Sequence, residues 1–244
     1  MPTDRYSRQR IVPEIGTRGQ RTLSRSSVFV VGCGGLGSAL LYDLACMGIG
    51  RIGFADADAV SESDLNRQFL HTAADIGRPK TDSALQKLFA LNPTLSYAPH
   101  ETFLTDANAD ALLTGYDVIV LAVDNLAARF CANAWCVRAG VPLVDGGVNG
   151  FSGSMTAVFP ARPPCLRCLY GQAKDTARTI GSFAPVVTAV SALEAQAAAL
   201  LLLGRAESLY GKLFLYDGAS LTLASVDLRP SPGCPACGHL ITEE

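Results

Sequence analysis

The feature that most constrains the fold is a short apolar run followed by a glycine-rich loop. Residues 28–31 are Val-Phe-Val-Val, and Gly32, Gly34 and Gly37 follow with Gly-x-Gly-x-x-Gly spacing. β-Branched residues favour a strand, and residues 38–45 are able to continue as a helix. Glycines allow the backbone to approach a ligand closely, and a helix start offers free N–H groups to an anion. The sequence therefore predicts a strand-loop-helix unit that binds a phosphate.

A second predicted strand ends at an acidic residue. Residues 51–55 form this strand, and Asp56 follows it, 24 positions after Gly32. This spacing is close to that of the ribose-binding carboxylate in dinucleotide-binding folds. The combination is typical of a site for an adenosine-bearing ligand. Taken alone, the glycine motif favours a dinucleotide.

Composition limits the class of protein. The chain has 244 residues and a formal net charge of −2, which suits one large α/β domain and argues against a nucleic-acid surface. Its best candidate for a membrane span, residues 192–203, is too short and contains Glu194 and Gln196, so we expect a buried core helix and no membrane contact. The first ten residues have no apolar signal segment, which favours a cytoplasmic location.

Strand patterns predict a Rossmann-like, mostly parallel sheet with helices on both faces. We expect parallel order up to Asp145, with residues 117–123 as a buried strand that delivers Asp124 and Asn125 at its carboxyl end. Ligands of open α/β sheets bind outside the carboxyl ends of the strands. Asp124 is therefore expected to face the same crevice as the glycine loop.

The pattern changes after residue 146. Residues 154–159 predict a half-exposed strand, and residues 184–203 predict a long apolar helix. Two further strands, 213–217 and 222–226, are separated by a loop of about four residues, as in a hairpin. We expect C-terminal antiparallel strands to complete the fold.

The eight cysteines divide into two kinds. Cys165 and Cys168, on a predicted turn, form one Cys-x-x-Cys pair, and Cys234 and Cys237 form another. Two such knuckles complete the Cys₄ shell of a structural zinc site. A thioredoxin-type dithiol is disfavoured because neither pair follows a strand and opens a helix. We expect the other four to be small buried thiols: Cys33, Cys46, Cys131 and Cys136.

Polar residues after the second strand argue against a dinucleotide. Arg67 and Lys80 flank a polar loop near the phosphate end, and Asp124 can hold a divalent ion. A triphosphate carries about four negative charges and needs such cations, whereas NAD does not. The sequence contains no histidine dyad for acid-base catalysis, and we expect His71 and His239 to lie on the surface or behind the ligand-binding residues.

These residues together resemble a known family, the MoeB/ThiF/HesA adenylyltransferases, which are bacterial relatives of the ubiquitin-activating enzymes. The resemblance covers nearly the whole chain. Its motifs are Arg-Tyr-Ser-Arg-Gln at 5–9, the glycine loop at 32–37, Asp-Ala-Asp at 56–58, Leu-Asn-Arg-Gln at 65–68, Gly-Arg-Pro-Lys at 77–80, Asp-Asn at 124–125 and both cysteine pairs.

The resemblance implies ATP- and Mg²⁺-dependent adenylation of the C-terminal Gly-Gly carboxylate of a small ubiquitin-fold sulfur-carrier protein. Asp124 would hold Mg²⁺ and Asp56 the ribose. The thiocarboxylated carrier would then serve a sulfur-transfer pathway such as molybdopterin or thiamin synthesis. The implied nucleotide-binding residues are Gly32, Gly34, Gly35, Gly37, Asp56, Asp58, Ser63, Asn66, Arg67, Lys80, Asp124 and Asn125.

The same resemblance implies a homodimer in which Arg8 enters the site of the second subunit, so that Arg8, Arg67, Lys80 and Asp124 act together in catalysis. It divides one adenylation domain, 1–244, into an N-terminal helical arm (1–27), a nucleotide-binding half (28–145) and a carrier- and zinc-binding half (146–244). One departure is Ala177, where many relatives have cysteine. We expect no covalent carrier intermediate there, and we expect a separate protein to donate the sulfur, since no rhodanese-like segment follows residue 244.

Two alternatives remain open at the level of sequence. An NAD-dependent oxidoreductase would use the same glycine motif but leaves Arg67, Lys80, Asp124 and the zinc knuckles unexplained. A non-catalytic nucleotide-binding scaffold for a ubiquitin-like partner would bind ATP without turning it over. Carrier-dependent ATP–pyrophosphate exchange separates the three hypotheses.

Overall fold

A computed structural model describes residues 5–175 and 181–241 of the chain. The helices and strands alternate through the first two thirds of it. In chain order they are α1 (Ser7–Arg10), α2 (Gly16–Leu23), β1 (Ser27–Val31), α3 (Gly35–Met47), β2 (Arg51–Ala55), α4 (Lys80–Leu91), β3 (Ser96–His100), α5 (Ala109–Leu113), β4 (Val118–Leu121), α6 (Leu126–Ala139), β5 (Leu143–Asn149), β6 (Ser152–Val158), α7 (Leu166–Tyr170), α8 (Ala184–Leu202), β7 (Lys212–Asp217) and β8 (Thr222–Asp227).

The strands form one sheet with the order β3-β2-β1-β4-β5-β6-β7-β8. The five strands from β3 to β5 are parallel, and the predicted parallel order up to Asp145 is therefore confirmed. Strand order reverses between β1 and β4, so the loops after these strands flank one crevice. Such a switch point is where ligands bind in open α/β sheets.

The remaining strands are antiparallel, as predicted. β5 continues to Asn149 and pairs with β6, which pairs with β7, and β7 forms a hairpin with the edge strand β8. The prediction that β6 is half-exposed is wrong, because most of its residues are buried between β5 and β7 and against α8. All of β8 is exposed. The sheet therefore ends in an unprotected hairpin on the C-terminal side.

Helices cover both faces of the sheet, as predicted. α3, α4 and α8 pack on one face with the alternate residues of the strands, among them Val28, Val30 and Val144. α5, α6 and α7 pack on the other face, with Phe29 and Ile119. Helix α8 is long and apolar enough to cross a membrane by length and composition. It instead contacts α3, β5 and β6, as expected of a core helix.

Two helix starts differ from the sequence prediction. α3 begins at Gly35, inside the glycine loop, rather than at Ser38. The predicted turn around the first cysteine pair contains α7, a short helix that begins directly after Cys165 and includes Cys168. α3 begins on glycine, which has a low helix propensity, so the residue pattern predicts a later start. α7 follows two prolines, so the pattern predicts a turn and no helix there.

Candidate functional site

The glycine loop joins β1 to α3 beneath the end of β4. Gly32 has a φ of +101°, and a Cβ there would lie 2.5 Å from the carbonyl oxygen of Ala122. A Cβ on Gly37 would lie 2.0 Å from the Gly32 carbonyl oxygen. Only glycine fits either position, because each contact is with backbone. The loop therefore places the N-terminus of α3 directly at the strand-order switch point.

Asp56 closes the crevice on the β2 side. Its side chain is buried, with Oδ2 accepting from the Cys33 backbone N–H at 2.8 Å and Oδ1 accepting from the Asp58 N–H at 2.8 Å. Each carboxylate oxygen has a further lone pair. Asp56 therefore stabilises the glycine loop, and its carboxylate oxygens can still accept hydrogen bonds from ribose hydroxyls.

The two predicted phosphate-binding cations lie near this loop. Lys80 is the first residue of α4 and is buried; its Nζ lies 3.1 Å from Asp58 Oδ2 and 3.9 Å from Asp64 Oδ2. The stem of Arg67 lies over Gly35, with Cγ 3.7 Å from where a Gly35 Cβ would stand. Both positive charges are therefore held at the mouth of the glycine loop.

Arg67 is held by its own loop. Its Nη1 donates to the Ser63 carbonyl oxygen at 2.7 Å and to Asn66 Oδ1 at 3.0 Å. Ser63 and Asn66 are exposed, and the Ser63 hydroxyl lies 2.9 Å from the Ser61 hydroxyl. Both predicted residues thus support Arg67 at the entrance of the crevice.

Asp124 and Asn125 have different environments. Asn125 caps α6, and its Oδ1 accepts from the Ala128 N–H at 2.8 Å, while Asp175 Oδ1 accepts from the Leu126 N–H at 2.7 Å. Asp124 is exposed and makes no hydrogen bond or ion pair within residues 5–175 and 181–241. Its carboxylate is therefore available for a cation at the carboxyl end of β4.

We call the glycine loop at 32–37, with Asp56, Arg67, Lys80 and Asp124, the nucleotide crevice. Together with Asp58 and Asp64, the crevice has four carboxylates, whereas it has only two cations, Arg67 and Lys80. A triphosphate with about four negative charges would be repelled by this balance unless further positive charge entered the site.

Arg8 is not near the crevice of its own chain. It is exposed on α1, and the adjacent Gln9 donates from Nε2 to the Met47 carbonyl oxygen at 2.9 Å. Met47 is the last residue of α3, whereas the glycine loop lies at its first residue, Gly35. A helix of this length separates the two ends by about 20 Å. Within one chain, Arg8 and the crevice are therefore far apart.

The four paired cysteines come together on the other face of the sheet. Their sulfur atoms all lie within 4.8 Å of one another. Cys165 and Cys234 Sγ are 3.7 Å apart, and Cys168 and Cys237 Sγ are 3.5 Å apart. Zn–S bonds of about 2.3 Å in a tetrahedron require sulfur separations of about 3.8 Å. The four residues, hereafter the Cys₄ cluster, fit a zinc ion.

Hydrogen bonds to the sulfurs support this interpretation. The backbone N–H of Ser231 donates to Cys168 Sγ at 3.4 Å, and Asn133 Nδ2 donates to Cys165 Sγ at 3.5 Å. Burial alone would raise the pKa of Cys234, but the N–H groups of Cys237 and Ala236 lower it to about 7. Burial raises the pKa of Cys165, and burial and the neighbouring cysteines raise that of Cys237. Thiolates rather than thiols bind metals, so among these three the environment favours the metal-binding form at Cys234.

Sequence reasoning missed several polar residues behind the crevice. Asp64 and Gln68 are buried, and Gln68 Nε2 donates to Asp64 Oδ1 at 2.7 Å. Ser83 is also buried and is hydrogen-bonded to His71. Of the two histidines expected on the surface or behind the ligand-binding residues, His71 is buried and His239 is exposed. Gln68 is the last residue of the Leu-Asn-Arg-Gln motif, and its partner Asp64 is four residues away, but no motif marks Asp64, His71 or Ser83. Only the apolar residues around them, at 70 and 84, indicate that they point inward.

The prediction for the other four cysteines is only partly correct. Cys33 and Cys136 are buried, Cys131 is half-buried, and Cys46 is exposed near the end of α3. The apolar neighbours of Cys46 predict a buried thiol, but Cys46 lies on the outer side of the helix. Ala177, at which we expect no covalent intermediate, lies outside the described residues.

Comparisons with known proteins match nearly the whole chain. The model of the ThiF family matches residues 6–236. A sulfur carrier protein adenylyltransferase of Thermus thermophilus is 39% identical over 98% of this chain and 92% of its own length. The molybdopterin-synthase adenylyltransferase of Escherichia coli is 37% identical over 96% of both chains. The SAMP-activating enzyme E1 of Haloferax volcanii is 38% identical over 97% of this chain and 89% of its own length.

Solved structures agree on the fold. A crystal structure of Escherichia coli MccB with selenomethionine MccA has a TM-score of 0.86, covering 98% of this chain and 75% of that one at 26% identity. The family model spans the glycine loop, every crevice residue and three of the four paired cysteines, and it ends one residue before Cys237. The chain therefore belongs to the ThiF family.

Proposed function

We propose that the chain is an adenylyltransferase that activates the C-terminal Gly-Gly carboxylate of a ubiquitin-like sulfur-carrier protein with ATP. The observation that supports this most is the crevice itself. It combines a glycine loop and ribose-type carboxylate with Arg67, Lys80 and an uncommitted Asp124 at the strand-order switch point. A nicotinamide dinucleotide would need neither the two cations nor Asp124.

The nucleotide would lie along the carboxyl ends of β1, β2 and β4. In our proposal Asp56 accepts the ribose hydroxyls and the free N–H groups of α3 face the phosphates. Arg67 and Lys80 then contact phosphate oxygens, exchanging their present carboxylate and carbonyl partners for more highly charged ones.

The proposed reaction needs no general base. The carrier carboxylate is ionised at pH 7 and attacks the α-phosphorus, forming the acyl-phosphate bond while the bond to the leaving pyrophosphate breaks. The chain must then align the carboxylate in line with the leaving group and stabilise charge on the phosphate oxygens. This agrees with a crevice that contains cations and N–H groups but no histidine dyad.

The excess of carboxylates in the crevice supports two further parts of the proposal. Asp124 would hold Mg²⁺, which supplies positive charge beside the phosphates. Arg8 would come from a second copy of the chain, since it lies at the far end of α3 in its own chain. The proposed catalytic unit is therefore a homodimer in which each crevice is completed by its partner.

The C-terminal half, 146–244, is proposed to bind the carrier and, in the Cys₄ cluster, a structural zinc ion. Its outer hairpin leaves Leu215, Leu223 and Val226 exposed. A structural zinc would fasten residues 234–237 to α7. Together with the nucleotide-binding half, 28–145, this half would form a single adenylation domain acting in the cytoplasm.

We also propose that the sulfur comes from a separate protein. Of the eight cysteines, the four of the Cys₄ cluster are placed for metal binding, and only Cys46 is exposed. Cys46 lies near the end of α3 that is remote from the glycine loop. A cysteine at that distance is poorly placed to attack an acyl-adenylate in the crevice.

The proposal is tested by ATP–pyrophosphate exchange with purified carrier candidates. We expect exchange that requires Mg²⁺ and a carrier ending in Gly-Gly, and none with a carrier lacking the last glycine. Reduction of a nicotinamide dinucleotide without exchange would replace the proposal by an oxidoreductase. Tight ATP binding without exchange, for every Gly-Gly carrier encoded beside this chain, would replace it by a nucleotide-binding scaffold.

A further inference from the structure

His71 is a buried polar residue that the proposed mechanism does not use. It lies between the polar loop and α4, and only 5% of it is exposed. One ring nitrogen, Nε2, is 3.2 Å from the carbonyl oxygen of Cys33, and the other, Nδ1, is 2.9 Å from the Ser83 hydroxyl. One partner, Cys33, belongs to the glycine loop, and the other, Ser83, belongs to α4, the helix that begins at Lys80.

The partners fix the protonation of the ring. A carbonyl oxygen only accepts hydrogen bonds, so Nε2 carries the proton and donates to Cys33. Nδ1 then accepts from the Ser83 hydroxyl, whose oxygen in turn receives a hydrogen bond from Lys87 Nζ at 3.2 Å. Burial lowers the pKa of His71, which keeps the ring in this neutral form at pH 7.

These contacts connect the two walls of the crevice. Cys33 lies within the glycine loop, and its N–H already donates to Asp56. Ser83 lies one turn after Lys80 on α4, so both residues occupy one face of that helix. Through His71, the loop that would bind the phosphates is therefore held at a fixed position relative to the lysine that would contact them.

We propose that His71 is a positioning residue that holds the Cys33 carbonyl, and with it the glycine loop, against the helix that presents Lys80. This rests on the proposed nucleotide site, because it gives the loop a task that requires a fixed shape. His71 would not touch substrate. Its effect would be on nucleotide affinity, since a mobile loop must be ordered again each time ATP binds.

Three substitutions separate this role from general packing. His71→Gln places an amide N–H at the same number of bonds from Cα as Nε2, so it can still donate to Cys33. His71→Asn ends one bond earlier and can reach only Ser83. His71→Leu fills the space without a polar atom. The measurements are the KM for ATP and kcat in carrier-dependent exchange, thermal unfolding, and amide hydrogen exchange of residues 33–37 without nucleotide.

We expect His71→Leu and His71→Asn to raise the KM for ATP about tenfold and to speed loop amide exchange by a similar factor, with kcat within about threefold of wild type. We expect His71→Gln to stay within about threefold of wild type in every measurement. If the leucine variant does not fold, the comparison of the glutamine and asparagine variants decides.

The proposal is overturned if the asparagine variant matches wild type in KM and loop exchange, or if the glutamine variant is as impaired as the asparagine one. Failure of the proposed function would look different. A wild-type chain without carrier-dependent exchange refutes the adenylation proposal, whereas loop amide exchange in the same variants still tests the contact between His71 and Cys33.

Discussion

The Cys₄ cluster and the nucleotide crevice differ in how complete each is within one chain. The cluster brings its four sulfurs to within 4.8 Å of one another, with N–H donors already aimed at them. The crevice has its loop and cations in place, but Lys80 is paired with Asp58 and Asp124 has no partner in the described parts of the chain. The first site fits its ion as it stands, whereas the second requires added positive charge.

This difference matches the two kinds of task. A structural metal site contributes most when its ligands form a closed shell and ligand exchange is slow. A site that binds and releases a highly charged nucleotide in every cycle needs charged groups whose partners the nucleotide can replace. In our proposal, the carboxylates around Lys80 hold its ammonium group in position between cycles, and phosphate oxygens replace them when ATP binds.

The largest expected effect is on the Cys₄ cluster. Cys234→Ser should abolish stoichiometric zinc, lower the free energy of unfolding by about 4 kcal/mol and lower the Tm by about 10 °C, because the C-terminal segment loses its attachment to α7. Metal analysis and thermal unfolding measure this. Cys46→Ser, a change at the exposed cysteine, should leave both values unchanged. A Cys234→Ser variant with wild-type Tm would show that the cluster is not structural.

The next effect concerns the uncommitted carboxylate of the crevice. Asp124→Ala should lower carrier-dependent exchange about 10³-fold, because the proposed Mg²⁺ ligand is lost. The Tm should not fall, since the side chain is exposed and has no partner among the described residues. Asp106→Ala, at an exposed acidic residue on the loop between β3 and α5, is the matched control. Wild-type exchange in Asp124→Ala would remove Asp124 from the metal role.

Lys80 tests the claim that a paired cation is released to the phosphates. Lys80→Met should lower exchange about 10²-fold, with most of the loss in KM for ATP if the contact is to the bound nucleotide and in kcat if it is made only in the transition state. Steady-state exchange kinetics separate the two. Arg138→Met, at an exposed cation on α6 that is paired with Asp110, is the control. Equal kinetics in both variants would contradict the phosphate role.

The smallest expected effect concerns Asp75, whose hydrogen bonds stabilise the polar loop between β2 and α4. Burial alone would raise the pKa of Asp75, but hydrogen bonds from Lys87 and Thr72 hold it well below its usual range. A lowered folded-state pKa contributes stability above the unfolded value near 3.9, and that stability is lost as the pH falls below it. Asp75→Asn should therefore cost about 1 to 2 kcal/mol at pH 7 and progressively less between pH 4 and pH 2.

Chemical denaturation at several pH values measures this difference. A gap between wild type and Asp75→Asn that stays constant from pH 7 to pH 2 would contradict the assignment. The result would also sharpen the contrast with the Cys₄ cluster, because the loop beside the crevice would be shown to rely on its own hydrogen bonds rather than on a metal.

The sequence was sufficient to predict the parallel half of the sheet. β1, β2, β4 and β5 contain mostly apolar runs that glycine or aspartate follows, and the helical segments between the strands favour parallel order. β3, which is Ser-Tyr-Ala-Pro-His at 96–100, has no such run. Both cysteine pairs were also predictable, because only ligand spacing was needed. The start of α7 was not, since a five-residue helix after two prolines has no periodicity to detect.

The buried polar side chains behind the crevice could not be predicted from the sequence, for a different reason. His71 is held by Cys33, which is 38 residues away in the sequence, and nothing in the local sequence distinguishes a buried histidine from an exposed one. The position of Arg8 shows the same limit. Its motif indicates importance, but only the structure shows that it lies at the far end of α3 from its own crevice.

We propose that the crevice is an adenylation site completed by a second copy of the chain. The most direct test of this proposal is a mixed dimer of Arg8→Ala and Asp124→Ala subunits, co-expressed with two different tags and purified through both. Each parent dimer should retain about 1% of wild-type exchange or less, whereas the mixed dimer should recover about half, because one of its two crevices has both residues. Exchange in the mixed dimer no higher than in the parents, or full exchange in the Arg8→Ala dimer, would contradict the claim.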